Sequence, residues 1–324
     1  MNPINRRRAV AALAFAASPA ALAQAFPSLP IRLVVPFTPG GGTDAVARLI
    51  AERIAMVMPG WTLVIDNRPG AGGNIGMDLV AKARPDGLTL AMAQCSTLAI
   101  NPALYPKMPF DTLKDLVPVA LVASQPMVLV VRSDSPLKDT AALVATARAR
   151  AGAMTQALAG TGTVGHLAGE LFGQRAGFKS TSVPYKGAAP ALQDLIGGQT
   201  DFMFATPQAV LGLIKGGKLR ALAVTSLRRL PVLPEVPTLD EAGWRGFEAG
   251  DWKAIVAPAG TPPSVLRQIH AAVDKALGQP ATLGQLLAEG STPMKGSLED
   301  VAAFVKAEHR RWGEAVRAAG ATAN

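Results

Sequence analysis

Cysteine, histidine and aromatic residues are all scarce in this chain: one Cys, three His and 5% aromatics in 324 residues. Cys95 has no intrachain partner, so a disulfide-stapled scaffold is excluded. Structural zinc draws on several Cys and His ligands, and the same shortage argues against it. No metal site is therefore expected. Charged residues reach only 17% while hydrophobic residues reach 49%, the reverse of a disordered composition. Past the N-terminus no apolar run approaches the roughly 20 residues of a membrane-spanning helix. Lys and Arg number 32 against 23 acids, a formal charge of +9. They are not clustered into basic runs, so nucleic acid is not an expected partner. What remains is a chain long enough for two α/β domains of about 100–150 residues each.

The N-terminus carries Arg6-Arg7-Arg8, an apolar run from Ala9 to about Ala17, and the small-residue stretch Ala20-Ala21-Leu22-Ala23-Gln24-Ala25. A basic region, a short apolar region and an A-x-A site are the parts of a secretory signal peptide, here residues 1–25. Cleavage fits after Ala23 or after Ala25, and the arginines admit either Sec or twin-arginine export. Removing these residues removes three arginines and no acids, so the charge falls from +9 to +6. The expectation is an exported, periplasmic, monomeric protein whose moderate positive field favours small anions.

After the signal, short apolar runs alternate with helical patterns. Ile31–Phe37 is β-branched and reads as a buried strand. Val46, Leu49, Ile50, Ile54, Val57 and Met58 then recur at helical spacing until Pro59-Gly60. Thr62–Ile65, Ile75–Lys82 and Leu88–Ala93 continue a βαβαβ rhythm that predicts a parallel sheet. The same grammar returns from Thr155 to Thr225: strands at Thr155–Ala159, Thr181–Tyr185, Asp201–Phe204 and Leu219–Thr225, with helices at Gly165–Ala176, Ala189–Ile196 and Gln208–Lys215. Val119–Val131 reads as a strand crossing from one domain to the other, and Trp252–Ala257 as the return. Pro263–Leu277 and Leu298–Ala319 read as amphipathic helices. Two α/β domains joined by two crossings leave a cleft, a preferred place for a ligand.

Two loops face that cleft by their position between strand and helix. In Phe37-Thr38-Pro39-Gly40-Gly41-Gly42-Thr43-Asp44, the glycines allow N–H groups to converge ahead of the helix, and Thr43 or Asp44 can cap it. Such a loop cradles a carboxylate or phosphate, or is simply a tight turn. Gly160-Thr161-Gly162-Thr163-Val164-Gly165-His166 formally matches G-x-G-x-x-G, but the next strand ends Val183-Pro184-Tyr185-Lys186 without the acid a dinucleotide needs. No P-loop occurs either, so no cofactor is expected. Asn67-Arg68-Pro69-Gly70-Ala71-Gly72-Gly73-Asn74 is either a close-packing device or a lip of the cleft.

Catalytic signatures are missing: no G-x-S-x-G elbow and no H-E-x-x-H. His166 reads as a capping, packing or ligand-bonding residue. His270 and His309 read as surface residues, and Cys95 as a small buried filler. A hydrolase acting on a small carboxylate is the weaker alternative, and no enzyme activity is expected.

These loops, together with Val183–Gly187 and Ala257-Pro258-Ala259-Gly260-Thr261-Pro262-Pro263, resemble the Bug proteins, extracytoplasmic solute receptors of tripartite tricarboxylate transporters that include the TctC type. The resemblance runs in order from about residue 27 to the C-terminus. It implies a type II, Venus-flytrap periplasmic-binding-protein fold with a ligand cleft between two doubly wound sheets. Lobe 1 would be residues 26–124 plus 247–324, and lobe 2 residues 125–246. It implies a small carboxylate held by main-chain groups and ordered waters, and a membrane permease of one large and one small subunit as partner. A sensor presenting its closed form to a signalling protein is the alternative role. The expected ligand-binding set is Phe37, Thr38, Pro39, Gly40, Gly41, Gly42, Thr43 and Asp44 on one lobe, with Gln94, Ser96 and Thr97 at a strand end. Thr161, Gly162, Thr163, Val164 and His166 are expected on the other lobe, and Tyr185, Lys186, Ala205, Thr206, Trp252 and Lys253 as specificity contacts. Ala205-Thr206 stands where many members place Asp or Asn, and Lys253 follows Trp252 where a small residue is commoner. A lost acid and a gained lysine favour a more anionic ligand.

Overall fold

The computed structural model describes residues 26–318; the expected signal peptide, 1–25, and the end of the expected last helix, Ala319, lie outside the described residues. A six-stranded sheet of order β11-β4-β10-β3-β1-β2 is built from β1 (Ile31–Val35), β2 (Leu63–Asn67), β3 (Thr89–Gln94), β4 (Leu116–Pro126), β10 (Gly250–Pro258) and β11 (Thr292–Pro293). A five-stranded sheet of order β7-β6-β8-β5-β9 is built from β5 (Val128–Arg132), β6 (Thr155–Leu158), β7 (Thr181–Pro184), β8 (Phe202–Ala205) and β9 (Leu219–Val224). The helices are α1 (Gly42–Val57), α2 (Asn74–Ala81), α3 (Thr140–Ala149), α4 (Val164–Ala176), α5 (Ala188–Ile196), α6 (Pro207–Lys215), α7 (Pro263–Leu277), α8 (Pro280–Ala288) and α9 (Leu298–Ala318).

Side chains alternate across a strand, and that period divides the first sheet's core into two layers. Leu33 and Val35 of β1 pack with Leu90, Met92 and Ile255 beneath α1 and α7. Val34 packs with Ala91, Ala254 and Val256 on the opposite face, under α2 and α9. A strand buried on both faces reads as a continuous apolar run, and β1 reads that way. On α1 the apolar stripe Val46, Leu49, Ile50 and Ile54 is 3% exposed or less, so the helical period anticipated from the sequence is the buried face.

Each sheet has a parallel core, β2-β1-β3 in one and β7-β6-β8 in the other. The sheets are nonetheless mixed, which corrects the parallel expectation. β10 pairs antiparallel with β3 and β4, and β5 antiparallel with β8 and β9. The reason is the return crossing: the chain re-enters the first sheet from the hinge end, against the direction in which β4 left it. Gly250 pairs with Pro126, so the two crossings lie side by side. Thr225, fully buried, pins both by accepting from Met127 N (2.8 Å) and donating to Ala249 O.

Several elements carried no clear sequence signal. The Ala-rich helix α3 is started by Asp139, whose carboxylate accepts from Ala142 N at 2.7 Å. Helix α8 is short and begins at Pro280. After β3, Ser96–Ile100 forms a π-helical turn that runs into the short helix Asn101–Leu104.

Candidate functional site

The space between the sheets measures about 490 Å³. Its apolar wall is Phe37, Met127, Ala159, Val164, Ala188, Met203, Phe204 and Ala205; Thr43, Gln94, Thr163, Thr206 and Asp251 add polar groups, and Gly41, Gly42 and Gly165 complete the lining. This is the mix of an apolar body with few polar groups that fixes a small ligand.

Four helices begin at this space. α1 starts at Gly42, α4 at Val164, α5 at Ala188 and α6 immediately after Thr206, and each of these four residues lines it. The first N–H groups of a helix have no intrahelical acceptor, and the helix dipole adds partial positive charge there. On α1, α5 and α6 no side chain supplies a cap; the N-cap residues are Gly41, Gly187 and Thr206. This corrects the expectation that Thr43 or Asp44 caps α1. The Thr43 hydroxyl instead donates to Gln94 Oε1. Asp44 turns back, accepting from Gly40 N (3.0 Å), Arg48 Nε (2.9 Å) and Asn67 Nδ2 (2.9 Å). Burial works to raise the Asp44 pKa, but these hydrogen bonds outweigh it and hold the carboxyl below its usual range. Asp44 thus fixes the loop, with Gly40 at φ +82°, where a side chain would be strained.

The facing surfaces are in contact. A Cβ placed on Gly42 would lie 2.3 Å from Thr206 Oγ1, and one on Gly72 would lie 2.4 Å from Thr161 O. Tyr105 donates across the cleft to Thr161 O at 3.2 Å.

A model of the tripartite tricarboxylate transporter family receptor matches residues 46–321. The chain belongs to this receptor family. Among solved structures it is similar to the periplasmic binding protein BugD (35% identical, 92% of this chain and 99% of that one, TM-score 0.87). It is also similar to Rpa4515 of R. palustris, solved with adipate (38%, 91% and 98%, 0.87). A third is MatC of Rhodopseudomonas palustris, solved with malate (35%, 90% and 100%, 0.85). The two-lobe periplasmic-binding-protein fold follows from these likenesses. Among the described residues no helix is long and apolar enough to cross a membrane.

Within this receptor, Phe37, Gly41, Gly42, Thr43, Gln94, Thr163, Val164, Ala205 and Thr206 of the expected set line the space. Tyr185 and Lys186 line a smaller adjoining recess with Gly70–Gly73, so the third glycine turn stands at the lip of the cleft. The Tyr185 hydroxyl is engaged by Asp194 Oδ2 at 2.6 Å; burial and that bond push its pKa up to about 12.

The other expected residues serve the site from outside it. Pro39 and Gly40 form the exposed bend of the first loop, and Thr38 sits against Gly187. Ser96 accepts from Gln94 Nε2 at 2.7 Å, and Thr97 exchanges hydrogen bonds with the Gln94 backbone, so both fix Gln94. Gly162, with Thr161, packs on the Asn101–Tyr105 segment. Trp252 and Lys253 do not line the space, which corrects their assignment as specificity contacts. The Trp252 indole faces α9, donating to Glu308 Oε2 at 2.8 Å. Lys253 is fully buried, with Nζ 3.0 Å from Asp251 Oδ2, so its charge is spent inside the protein. His270 and His309 are half-buried, and His270 Nδ1 lies 2.8 Å from Val119 O. Cys95 is fully buried, and burial pushes its thiol well up, away from the reactive thiolate.

His166 Nδ1 accepts from Gly162 N at 3.2 Å and so braces the second loop. Burial lowers its pKa, against a weaker upward pull from Glu170. The unfolded chain therefore takes the proton more readily than the folded one. Stability is retained above about pH 6.5 and declines as pH falls below it. In His166→Asn, whose side-chain oxygen takes the place of Nδ1, the loss of stability between pH 7.5 and 5 is smaller. Unfolding midpoints at the two pH values measure this, with His309, also lowered by burial, leaving a residual slope.

Met127, Met203, Phe204 and Asp251 were missed by sequence reasoning. For two of them the signal is position: Met127 and Asp251 belong to the two crossings, where the chain passes between the sheets.

Proposed function

We propose that this protein is an exported receptor that captures a small carboxylate between two closing lobes for a tripartite tricarboxylate-type transporter. Lobe 1 comprises residues 26–124 with 247–324, lobe 2 residues 125–246, and the two crossings act as the hinge. The observation that carries this reading is the convergence of four helix N-termini on one space, three of them without a side-chain cap. A carboxylate supplies the missing acceptors and meets the positive ends of the dipoles without any cationic side chain. The apolar wall suits the carbon chain of the ligand.

α1 comes from one lobe, and α4, α5 and α6 from the other. A ligand held by both sets gains contacts that exist only in the closed form, which is how binding shifts the equilibrium towards closure. Closure also removes water, and charge-assisted hydrogen bonds strengthen as the local dielectric falls. The relatives solved with adipate and malate support a carboxylate ligand, and the family supports a permease of one large and one small subunit as the recipient.

A thermal-shift screen of mono-, di- and tricarboxylates on the mature protein tests this. A carboxylate at 100 times its Kd stabilises the folded form by about 2.7 kcal/mol and raises the midpoint accordingly. If sugars or cations shift the midpoint and no carboxylate does, the proposal is wrong.

A further inference from the structure

We propose that Asp251 is a specificity-determining residue that selects a carboxylate bearing a hydroxyl on its carbon chain. This rests on the carboxylate reading above. Asp251 lines the space and is 3% exposed. Its Oδ2 accepts from Gln125 Nε2 and Lys253 Nζ, both at 3.0 Å. Its Oδ1 is buried and has no hydrogen-bond partner. Gln125 stands opposite Asp251 in the β4–β10 register, and Lys253 lies two residues along on the same face of β10, so the carboxylate is held from two strands. Oδ1, the oxygen without a protein donor, is the one that accepts from the ligand in this proposal.

A buried charged acceptor without a donor is costly, and a ligand that supplies the donor removes that cost. Lys253 already balances the Asp251 charge, so a neutral hydroxyl suffices and an ammonium is not required. Asp251 also repels a carboxylate. The ligand's own carboxylate is thereby directed to the helix N-termini, and its hydroxyl to Oδ1. A site built around a polar partner rejects an analogue lacking it more sharply than an apolar pocket rejects an added group.

The experiment compares matched series by calorimetry: propionate, lactate, pyruvate and alanine; glutarate, 2-hydroxyglutarate, 2-oxoglutarate and glutamate; butyrate, 3-hydroxybutyrate and acetoacetate. Within whichever series binds, the hydroxy acid binds the wild type about 10–100-fold more tightly than the unsubstituted acid, and the oxo acid more weakly than either. In Asp251→Asn, the amide oxygen takes the Lys253 and Gln125 donors and the NH₂ group faces the space. The oxo acid then binds as well as the hydroxy acid or better. The wild-type ratios decide the matter even if this variant folds poorly. Binding of a series without regard to the hydroxyl overturns the role of Asp251 and leaves the carboxylate receptor intact. A preference for the amino acid over the hydroxy acid by the same margin overturns the hydroxyl. Failure of these series and of every carboxylate in the thermal-shift screen overturns the carboxylate reading and this one with it; where the screen finds another carboxylate, its hydroxylated and unsubstituted forms make the same comparison.

Discussion

Exchange of Gly42 for Ala weakens ligand binding by about 100-fold while both lobes stay folded. The new Cβ would stand 2.3 Å from Thr206 Oγ1, 2.9 Å from Thr206 Cβ and 3.0 Å from Gln208 Oε1. Thr206 is short and branched at the contact point, so no rotation of a long side chain relieves the clash. The lobes must separate instead. Gly42 opens α1 in ordinary helical backbone, and alanine is the better helix former there, so the lobe itself loses nothing. If the closed form falls to about 1% of the population, apparent affinity falls about 100-fold. Calorimetry measures the affinity, and small-angle scattering should report a more open shape in the presence of ligand. Gly212→Ala is the control, because a Cβ at that position on α6 meets nothing within 4 Å. Equal binding by Gly42→Ala and wild type would show that the contact across the cleft is not needed for capture.

The second large effect concerns the buried pair beneath the cleft. Replacing Lys253 by Met destabilises the protein by about 3–5 kcal/mol, because Asp251 is then left in the interior with no cation beside it. Both side chains are almost entirely excluded from solvent, at 0% and 4% exposure, so water does little to screen the loss. The penalty belongs to the orphaned carboxylate rather than to the missing ammonium. Adding Asp251→Asn to Lys253→Met should therefore recover most of the stability, since the amide carries no charge and its oxygen still accepts from Gln125. Denaturant unfolding of the wild type, the single variant and the double variant measures the difference. A single variant as stable as wild type would mean that Asp251 finds another source of compensation.

Much of the fold was legible because it follows from local rules. The apolar run at Ile31–Val35 and the stripe Val46–Ile54 have the periods of a doubly buried strand and an amphipathic helix, and the chain uses both as such. Helix α3 was not legible, since an Ala-rich segment carries little apolar stripe to distinguish its faces. The mixed sheets were not legible either. Strand direction depends on where the chain returns, and the pairing of Gly250 with Pro126 joins residues 124 positions apart.

The site divides along the same line. Glycine loops between strand and helix mark where backbone N–H groups collect, which is why Gly41, Gly42, Thr163 and Val164 could be anticipated. Thr43, Asp44 and His166 were recognised as important, yet which partner each side chain takes was open until the surrounding strands were placed. Lys253 shows the limit most clearly. As a sequence feature it suggested a cation for an anionic ligand; in the fold its charge is consumed by Asp251 two residues away, and Asp251 is the one that reaches the space.

The sequence by itself led to the expectation of an export signal, of two α/β units joined by two crossings, and of glycine loops suited to an anion, because each rests on composition, period or short-range geometry. Only the tertiary structure decided that four helix N-termini meet at one place, that the lobes touch through glycines with no room for a methyl group, and that a buried carboxylate keeps one oxygen unpaired. Those facts depend on distances between residues far apart in the chain, and no local pattern encodes such a distance.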